Sequence, residues 1–317
     1  MKRRNFISLL AVMAAAGALS ACGASSSAEG AGSTAASAGS EADDRLAAAQ
    51  ARGTLIVALE GAWSPWCYHD DTDTLVGYDV EVSRAIAGQL GLEPEYVEGE
   101  WDGLFAGLDA GRYDIVCNGV EVTEERAKSY DFSQPYAYIH TALAVREDNT
   151  DITSFEDLAG RTTANSIAST YMTLAESYGA EAVGVDTLDQ TMEMVLSGRA
   201  DATLNAEVSV YDYLRVHPDA NIKIVALTDD ASQVAIPVRK GDDSATLLAA
   251  INEAIEELRA DGTLTALSEK YFGSDISGAA SDAEETAEPA GETAEEAADA
   301  TGEAAPAEET EPAGEAG

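Results

Sequence analysis

Arg126, in the run Thr123-Glu124-Glu125-Arg126, and the loop Ser166-Ile167-Ala168-Ser169-Thr170 carry the residue types best suited to holding an anion. A guanidinium offers a planar fork of donors that a carboxylate can meet with two parallel hydrogen bonds, which the point charge of a lysine does not reproduce. The loop opens a helical segment, where free backbone N–H groups favour negative charge; an ordinary Ser/Thr cap is the other reading of the same residues. Carboxylates that can serve as an opposite pole stand at Glu60, Glu121 and Glu207. Glu60 and Glu121 facing one cleft could do acid–base work. No nucleophile accompanies a histidine base, however, and no glycine-rich phosphate loop is present. His69, His140 and His217 are scattered without ligand-like spacing among themselves or with the cysteines, so neither a metal nor a cofactor is expected. Cys67 and Cys117 form an even pair that an oxidising compartment could join. Cys117 reads as a buried strand residue, and a disulfide and two free thiols both remain open.

These groups need a scaffold, and the middle of the chain alternates strand-like and helix-like segments. Thr54 to Leu59 is a short buried strand; Val82, Ile86 and Leu90 then recur every four residues before Gly91, the pattern of an amphipathic helix with a glycine stop. A helix bearing Leu104, Phe105 and Leu108 leads into a strand over Tyr113 to Cys117. Leu188, Met192 and Val195 precede a strand around Ala202 to Leu204, and Leu247, Leu248, Ile251, Ile255 and Leu258 mark the clearest helix. This alternation predicts α/β sheets covered by helices on both faces. Gly111-Arg112-Tyr113-Asp114 and Gly198-Arg199-Ala200-Asp201 each close a helix and open a strand, which hints at two lobes built alike.

The chain has 317 residues and a formal net charge of -40, with 18 basic side chains against 58 acidic ones. Nucleic acid is excluded as a partner, since phosphate binding needs clustered Lys and Arg. Lys2-Arg3-Arg4, an apolar stretch from Phe6 to Leu19 and small residues up to Cys22 form a secretory signal, too short to span a bilayer. Leu19-Ser20-Ala21-Cys22 looks like a bacterial lipobox, with Cys22 as the lipidated first residue of the mature protein. An Ala/Ser/Gly tether follows, and from Ser274 to Gly317 the composition becomes acidic without a single Lys or Arg, as expected of a solvated extension.

From about Thr54 to Gly273 the sequence resembles the extracellular solute-binding proteins for polar amino acids that serve ATP-driven importers. The resemblance is carried by Trp101-Asp102-Gly103-Leu104, Gly111-Arg112-Tyr113-Asp114, Asn118 through Arg126, and Tyr130-Asp131-Phe132-Ser133-Gln134-Pro135-Tyr136. Tyr178-Gly179-Ala180-Glu181 and Asp201-Ala202-Thr203-Leu204-Asn205 look most like the cystine-binding branch. The resemblance implies a periplasmic-binding-protein-like α/β fold: two lobes joined by a two-strand hinge, with the ligand in the cleft between them. The chain should leave the first lobe near Tyr136 to His140 and return near Gln233 to Pro237. The expected division is a signal peptide over 1–21, a lipidated cysteine and tether over 22–44, a first lobe over 45–139 and 234–273, a second lobe over 140–233, and a disordered tail over 274–317. The expected partners are an amino acid, the permease subunits of an ABC importer and, through the lipid, the membrane, the protein itself being a monomer.

Within that resemblance Arg126 matches the carboxylate-binding arginine, with the Thr123 hydroxyl and the loop Ala168, Ser169 and Thr170 assisting. Trp63 and Trp101 stand where relatives place aromatic walls, Trp66 being assigned to packing, and Glu60 stands where many relatives carry an acid touching the ligand's polar end. One departure matters: the aspartate that receives the ligand's α-ammonium in relatives falls on Ala206. Glu121, where relatives more often carry Gly, Ser or Thr, is one replacement and Glu207 is the other. If neither serves, the ligand lacks a standard α-amino group. An enzyme of the same fold, dehydratase-like, and a ligand-sensing receptor are the rival readings.

Overall fold

The computed structural model describes residues 44–278. The proposed signal peptide, Cys22, the tether up to residue 43 and the tail beyond residue 278 lie outside the described residues. Asp44 caps the first helix, Arg45–Arg52, its side chain accepting the Ala47 N–H at 2.9 Å.

Two α/β sheets carry the structure. In the first, the strands Glu93–Glu98, Thr54–Leu59 and Ile115–Val116 run parallel in that order. The helices Tyr78–Gln89 and Trp101–Asp109 connect them. In the second, Glu181–Val185, Thr162–Ser166 and Ala202–Ala206 repeat the parallel arrangement, and Thr141–Arg146 and Ile222–Leu227 extend it with antiparallel pairing. In both sheets the parallel trio therefore starts at its middle strand, steps to one side and reverses to the other. A sheet wound this way has a crevice at the carboxyl ends of its strands, where the order reverses.

The predicted helices form with their apolar stripes inward. Ala245–Ala260 buries Leu247, Ile251, Ala254, Ile255 and Leu258, each such large side chain contributing about 1.5–3 kcal/mol of transfer free energy. The helix expected before Gly91 spans Tyr78–Gln89, and Gly91 takes φ +70°, the left-handed conformation that ends a helix without a Cβ penalty. The strand expected over Tyr113 to Cys117 is shorter, Ile115–Val116, because Tyr113 turns its ring under Gly107 and its hydroxyl donates to Leu104 O.

The internal echo is a structural repeat. Asp114 accepts the Ile56 N–H at 2.8 Å while its own N–H donates to Ile56 O at 2.9 Å. In the second sheet Asp201 accepts the Thr162 N–H at 2.9 Å and donates to Thr162 O at 2.7 Å. Each aspartate thus clasps the first part of the middle strand of its parallel trio. Gly111 and Gly198, with φ of +66° and +72°, make the turn that brings it there.

Two strands cross between the sheets: Ala137–Ile139 and Ser232–Val234 pair antiparallel. The chain beyond Phe272 departs from the expectation of a disordered tail beginning at residue 274. Ile276 and Ser277 are buried, Tyr138 N–H donates to Ile276 O at 2.7 Å, and Arg259 donates to Ser277 O. Ile276 supplies the apolar anchor that a purely compositional reading of this region overlooks, and it packs beside the crossing strands.

Candidate functional site

The carboxyl ends of both sheets face one shared cavity that is partly open to solvent. From the first sheet come Glu60, directly after Thr54–Leu59, and Asn118 and Gly119, just after Ile115–Val116; from the second come Ser166 and Asn205, at the ends of Thr162–Ser166 and Ala202–Ala206. Of the residues named from the sequence, Glu60, Trp63, Trp101, Glu121, Arg126, Ser169 and Thr170 line it. Thr123, Ala168 and Glu207 do not.

Arg126 sits in the first turn of the helix Glu124–Ser129, capped by Thr123, whose hydroxyl oxygen accepts the Arg126 N–H at 3.1 Å. This cap is what Thr123 does in the structure, and it fixes the backbone from which the guanidinium projects. Arg126 Nη1 donates to Glu121 O at 2.9 Å, and the guanidinium carbon lies 5.2 Å from the centroid of the Trp101 ring and 5.3 Å from that of Phe105. Cation–π stacking of this kind orients the fork while leaving in-plane donors free. Burial lowers the basicity of Arg126, and the neighbouring Glu121 carboxylate works against that change.

Glu121 is held next to the crossing strands: it bridges Val234, and Val122 N–H donates to Gln233 O at 2.8 Å. Its carboxylate accepts the Thr170 hydroxyl at 2.7 Å. Glu207 opens the helix Glu207–Val216, its N–H donating to His140 O at 3.0 Å. Its Oε2 is buried without a hydrogen-bond partner among the described residues. Its carboxyl is pushed up by burial, with the charge of Glu121 adding to the rise. Ala206, where the resemblance implies an aspartate, is fully buried.

Glu60 has the most elaborate support. Asn118 accepts the Glu60 N–H at 2.8 Å and the Cys67 thiol at 3.0 Å on Oδ1, which leaves its Nδ2 to donate to Glu60 Oε2 at 2.7 Å. Burial pushes the Glu60 carboxyl up to about 7, the Asn118 bond opposing and the charge of Glu100 assisting. Cys67 and Cys117 are free, buried thiols.

Trp63 stacks on Trp66, centroids 5.3 Å apart and planes at 20°. Trp66 is fully buried, as expected of a packing residue, and its indole N–H also donates to Ser209 Oγ at 3.0 Å on the other lobe. Beneath Trp63 lies Gly119 at φ +54°, where an added Cβ would stand 2.6 Å from the Trp63 ring. Its N–H donates to Asp79 Oδ2 at 2.6 Å, and the Tyr136 hydroxyl donates to Asp79 Oδ1 at 2.6 Å. On the second lobe Ser169 caps the helix Thr170–Ser177, accepting the Met172 N–H at 3.1 Å. Ala168 takes φ +59°, a costly conformation for a residue with a Cβ.

Ser166, of the loop singled out from the sequence as an anion site, lines the cavity too, as do Asn118, Gly119, Tyr171, Leu188 and Asn205, which were not assigned to the site. A usable signal existed for Asn118, Gly119 and Asn205: they follow strands predicted from the sequence, at the carboxyl ends where ligands of such sheets bind. Tyr171 and Leu188 had none, because their apolar character reads as core. Among the described residues no group of three or more His, Cys, Asp or Glu is placed to hold a metal. No described helix is long and apolar enough to cross a membrane.

Residues 55–274 match the family model described as bacterial extracellular solute-binding proteins, family 3. The chain is similar to the L-cystine-binding protein TcyA of Bacillus subtilis, 37% identical over 87% of this chain and 99% of that protein. It is 34% identical to the L-cystine-binding protein TcyJ of Escherichia coli, over 73% of this chain and 87% of that protein. Among solved structures, a mutant of the T. maritima protein ArgBP superimposes with a TM-score of 0.67 and 31% identity, covering 72% of this chain and 99% of that one. The unliganded, open L-cystine solute receptor of Neisseria gonorrhoeae gives 0.51 with 44% identity over 71% and 95%. The chain belongs to the bacterial extracellular solute-binding proteins of family 3.

Proposed function

We propose that this protein is the lipid-anchored receptor of an ABC importer, that it captures an amino acid of the cystine class by closing two lobes, and that it hands the ligand to the membrane permease. The observation that carries this reading is the pairing in one interlobe cavity of Arg126, stacked on Trp101, with Glu121, which already meets Thr170 of the facing lobe. An amino acid needs a cation for its carboxylate and an anion for its ammonium, both in a site dry enough to make them count. Arg126 takes the carboxylate, assisted by the helix start at Ser169 and Thr170. Glu121, with Glu207 behind it, takes the ammonium in place of the aspartate absent at Ala206. Trp63 and Trp101 flank the ligand.

The lobes are residues 45–139 with 234–273, and 140–233; the two crossing strands are the hinge. Closure replaces water around the ligand by contacts that exist only when both lobes meet it. The names of TcyA and TcyJ support cystine as the first ligand to try. Cys22 carries the lipid, and the protein works as a monomer that binds its ligand without turning it over. A carboxyl raised by burial to about 7, as at Glu60, also suits a general acid or base, and one structural neighbour is an ancestral amino acid-binding protein, a precursor of cyclohexadienyl dehydratase.

Thermal shift and calorimetry of the mature chain against the common amino acids and L-cystine test the reading, because a ligand that binds only the folded state raises the melting temperature. A shift with one or a few zwitterions, recovered chemically unchanged after incubation, supports capture. No shift with any amino acid overturns the assignment, and a recovered product overturns pure binding.

A further inference from the structure

We propose that Asp79 is a positioning residue of the ligand cleft: its carboxylate ties the Gly119 peptide beneath Trp63 to Tyr136 at the entrance to the crossing strands, so that the aromatic wall and the hinge move as one. This rests on the cleft being an amino-acid site, and it gives a part in binding to a residue outside the cavity lining.

Asp79 stands in the first turn of Tyr78–Gln89 and is fully buried. Its Oδ2 accepts the Gly119 N–H at 2.6 Å, its Oδ1 accepts the Tyr136 hydroxyl at 2.6 Å, and its own N–H donates to Trp66 O at 2.9 Å. Each partner leads to a part that binds or moves. Gly119 lines the cavity under the Trp63 ring. Tyr136 N–H donates to Val234 O at 2.9 Å, which joins it to the crossing strand Ser232–Val234, and the Tyr78 hydroxyl donates to Tyr136 O at 3.0 Å. Trp66 stacks on Trp63 and reaches Ser209 on the second lobe. A rotation of the crossing strands therefore passes through two short hydrogen bonds to the floor of the tryptophan wall.

An acid is a costly way to make these bonds. Burial raises the Asp79 carboxyl to about 7, with Tyr136, Gly119 and Cys117 opposing the rise. Stability alone favours a neutral side chain at so buried a position, but the NH₂ of an asparagine would face one of the two donors. Only the ionised carboxylate accepts from both at once, and the Tyr136 contact of 2.6 Å falls in the range of about 2.5–2.7 Å for a hydroxyl on a carboxylate. The titratable groups that face Asp79 are the thiols of Cys67 and Cys117 and the hydroxyls of Tyr78 and Tyr136, and burial pushes all four up, so they stay protonated through neutral pH. Glu60, linked to Cys67 through Asn118, is raised to about 7 by its own burial.

Calorimetry on the mature chain at pH 5 and pH 8 tests this, with L-cystine and the common amino acids as probes. With the tightest of them, Asp79→Asn should bind about ten-fold more weakly than wild type at pH 8, the worth of one charge-assisted hydrogen bond. At pH 5, where Asp79 of the wild type is itself neutral, the gap should close to about two-fold or less. Melting temperature should behave oppositely: at pH 8 Asp79→Asn should melt no lower than wild type, because it removes a buried charge. A merely structural residue would lower affinity and melting temperature together at both pH values. Glu60 titrates in both proteins and drops out of the comparison. Tyr136→Phe keeps the charge and loses one bond, so it should weaken binding several-fold at pH 8, and the double variant should bind no more weakly than Asp79→Asn alone. Equal affinity of wild type and Asp79→Asn at pH 8, or a gap that persists at pH 5, overturns the proposal while leaving the amino-acid reading intact. Should Asp79→Asn not fold, wild-type affinity in Tyr136→Phe overturns it instead. Failure of L-cystine and every common amino acid to bind the wild type overturns the amino-acid reading, and this proposal with it.

Discussion

The Thr170 hydroxyl on the second lobe donates a 2.7 Å hydrogen bond to Glu121 Oε1 on the first, joining residues 49 positions apart across the cleft. One neutral-to-charged bond of this type is worth about 1.5–3 kcal/mol when its partners are shielded. Thr170→Val keeps the side-chain shape and removes the donor, so it should weaken ligand binding about ten-fold or more. Calorimetry checks this, with an unchanged melting temperature of the ligand-free protein as the control for folding. An unchanged Kd would mean that the bond contributes nothing to the liganded, closed form.

Two more bonds tie the lobes away from the ligand: Ser64 Oγ to Asp212 Oδ2 at 2.8 Å and Trp66 Nε1 to Ser209 Oγ at 3.0 Å. Neither Ser209 nor Asp212 lines the candidate cavity. Ser209→Ala should speed ligand dissociation several-fold with little effect on association, because the bond forms only as the lobes meet. Stopped-flow fluorescence of the tryptophans gives both rates, and a change confined to association would refute a closing role.

Arg126 should not tolerate replacement by lysine. Arg126→Lys keeps the charge but loses the planar fork and its stacking on Trp101 and Phe105, so affinity should fall about ten-fold or more. The melting temperature of the ligand-free protein should barely move, since among the described residues the side chain's one hydrogen bond is to Glu121 O. Wild-type affinity in Arg126→Lys would remove Arg126 from the carboxylate role.

Gly119 supports the tryptophan wall through space that a methyl group would occupy. Gly119→Ala places a Cβ 2.6 Å from the Trp63 ring on a residue at φ +54°, which should cost about 1–3 kcal/mol of stability. It should also shift the Trp63 fluorescence. Urea unfolding with the tryptophan emission spectrum reads both, and a variant as stable as wild type would show that the wall moves freely.

Asp79 makes stability depend on pH in an unusual direction. Its carboxyl is raised from 3.8 to about 7, chiefly by burial, so the folded state binds the proton more tightly than the unfolded state. Its contribution is therefore greatest at low pH and is lost as pH rises from about 4 to about 7, by roughly 3–4 kcal/mol. Asp79→Asn cannot titrate. The stability of wild type relative to Asp79→Asn should fall by that amount between pH 4 and pH 8 in urea denaturation, and two parallel pH profiles would refute the shift.

Much of the fold was legible because its signals are local. The four-residue spacing of Val82, Ile86 and Leu90 and the glycine after it define a helix within a dozen residues, and the Gly-Arg turns announced two sheets started alike. Arg126 was legible because the motif that holds it is short and continuous, with Thr123 as its cap. Other features depended on distant partners. The sequence placed Thr123 beside the ligand carboxylate, whereas its oxygen caps the helix and it lies outside the cavity lining. It assigned residues 274–278 to the solvated tail, yet Ile276 is buried. It left open whether Cys67 and Cys117 pair, and both are free thiols turned toward Asn118 and toward Asp79 and Tyr136.

By itself the sequence determined several of the strands and helices, the family, and the presence of one guanidinium motif among several carboxylates, since composition and periodicity are written in neighbouring residues. The tertiary structure alone decided how those charges group. Glu121, next to Val234, meets Thr170 only when segments far apart in the chain come together, while Glu60 is held by Asn118, which follows another strand. The physical reason is that the strength of a charge in a closed cleft depends on which groups share its shielding from water, and long-range packing sets that.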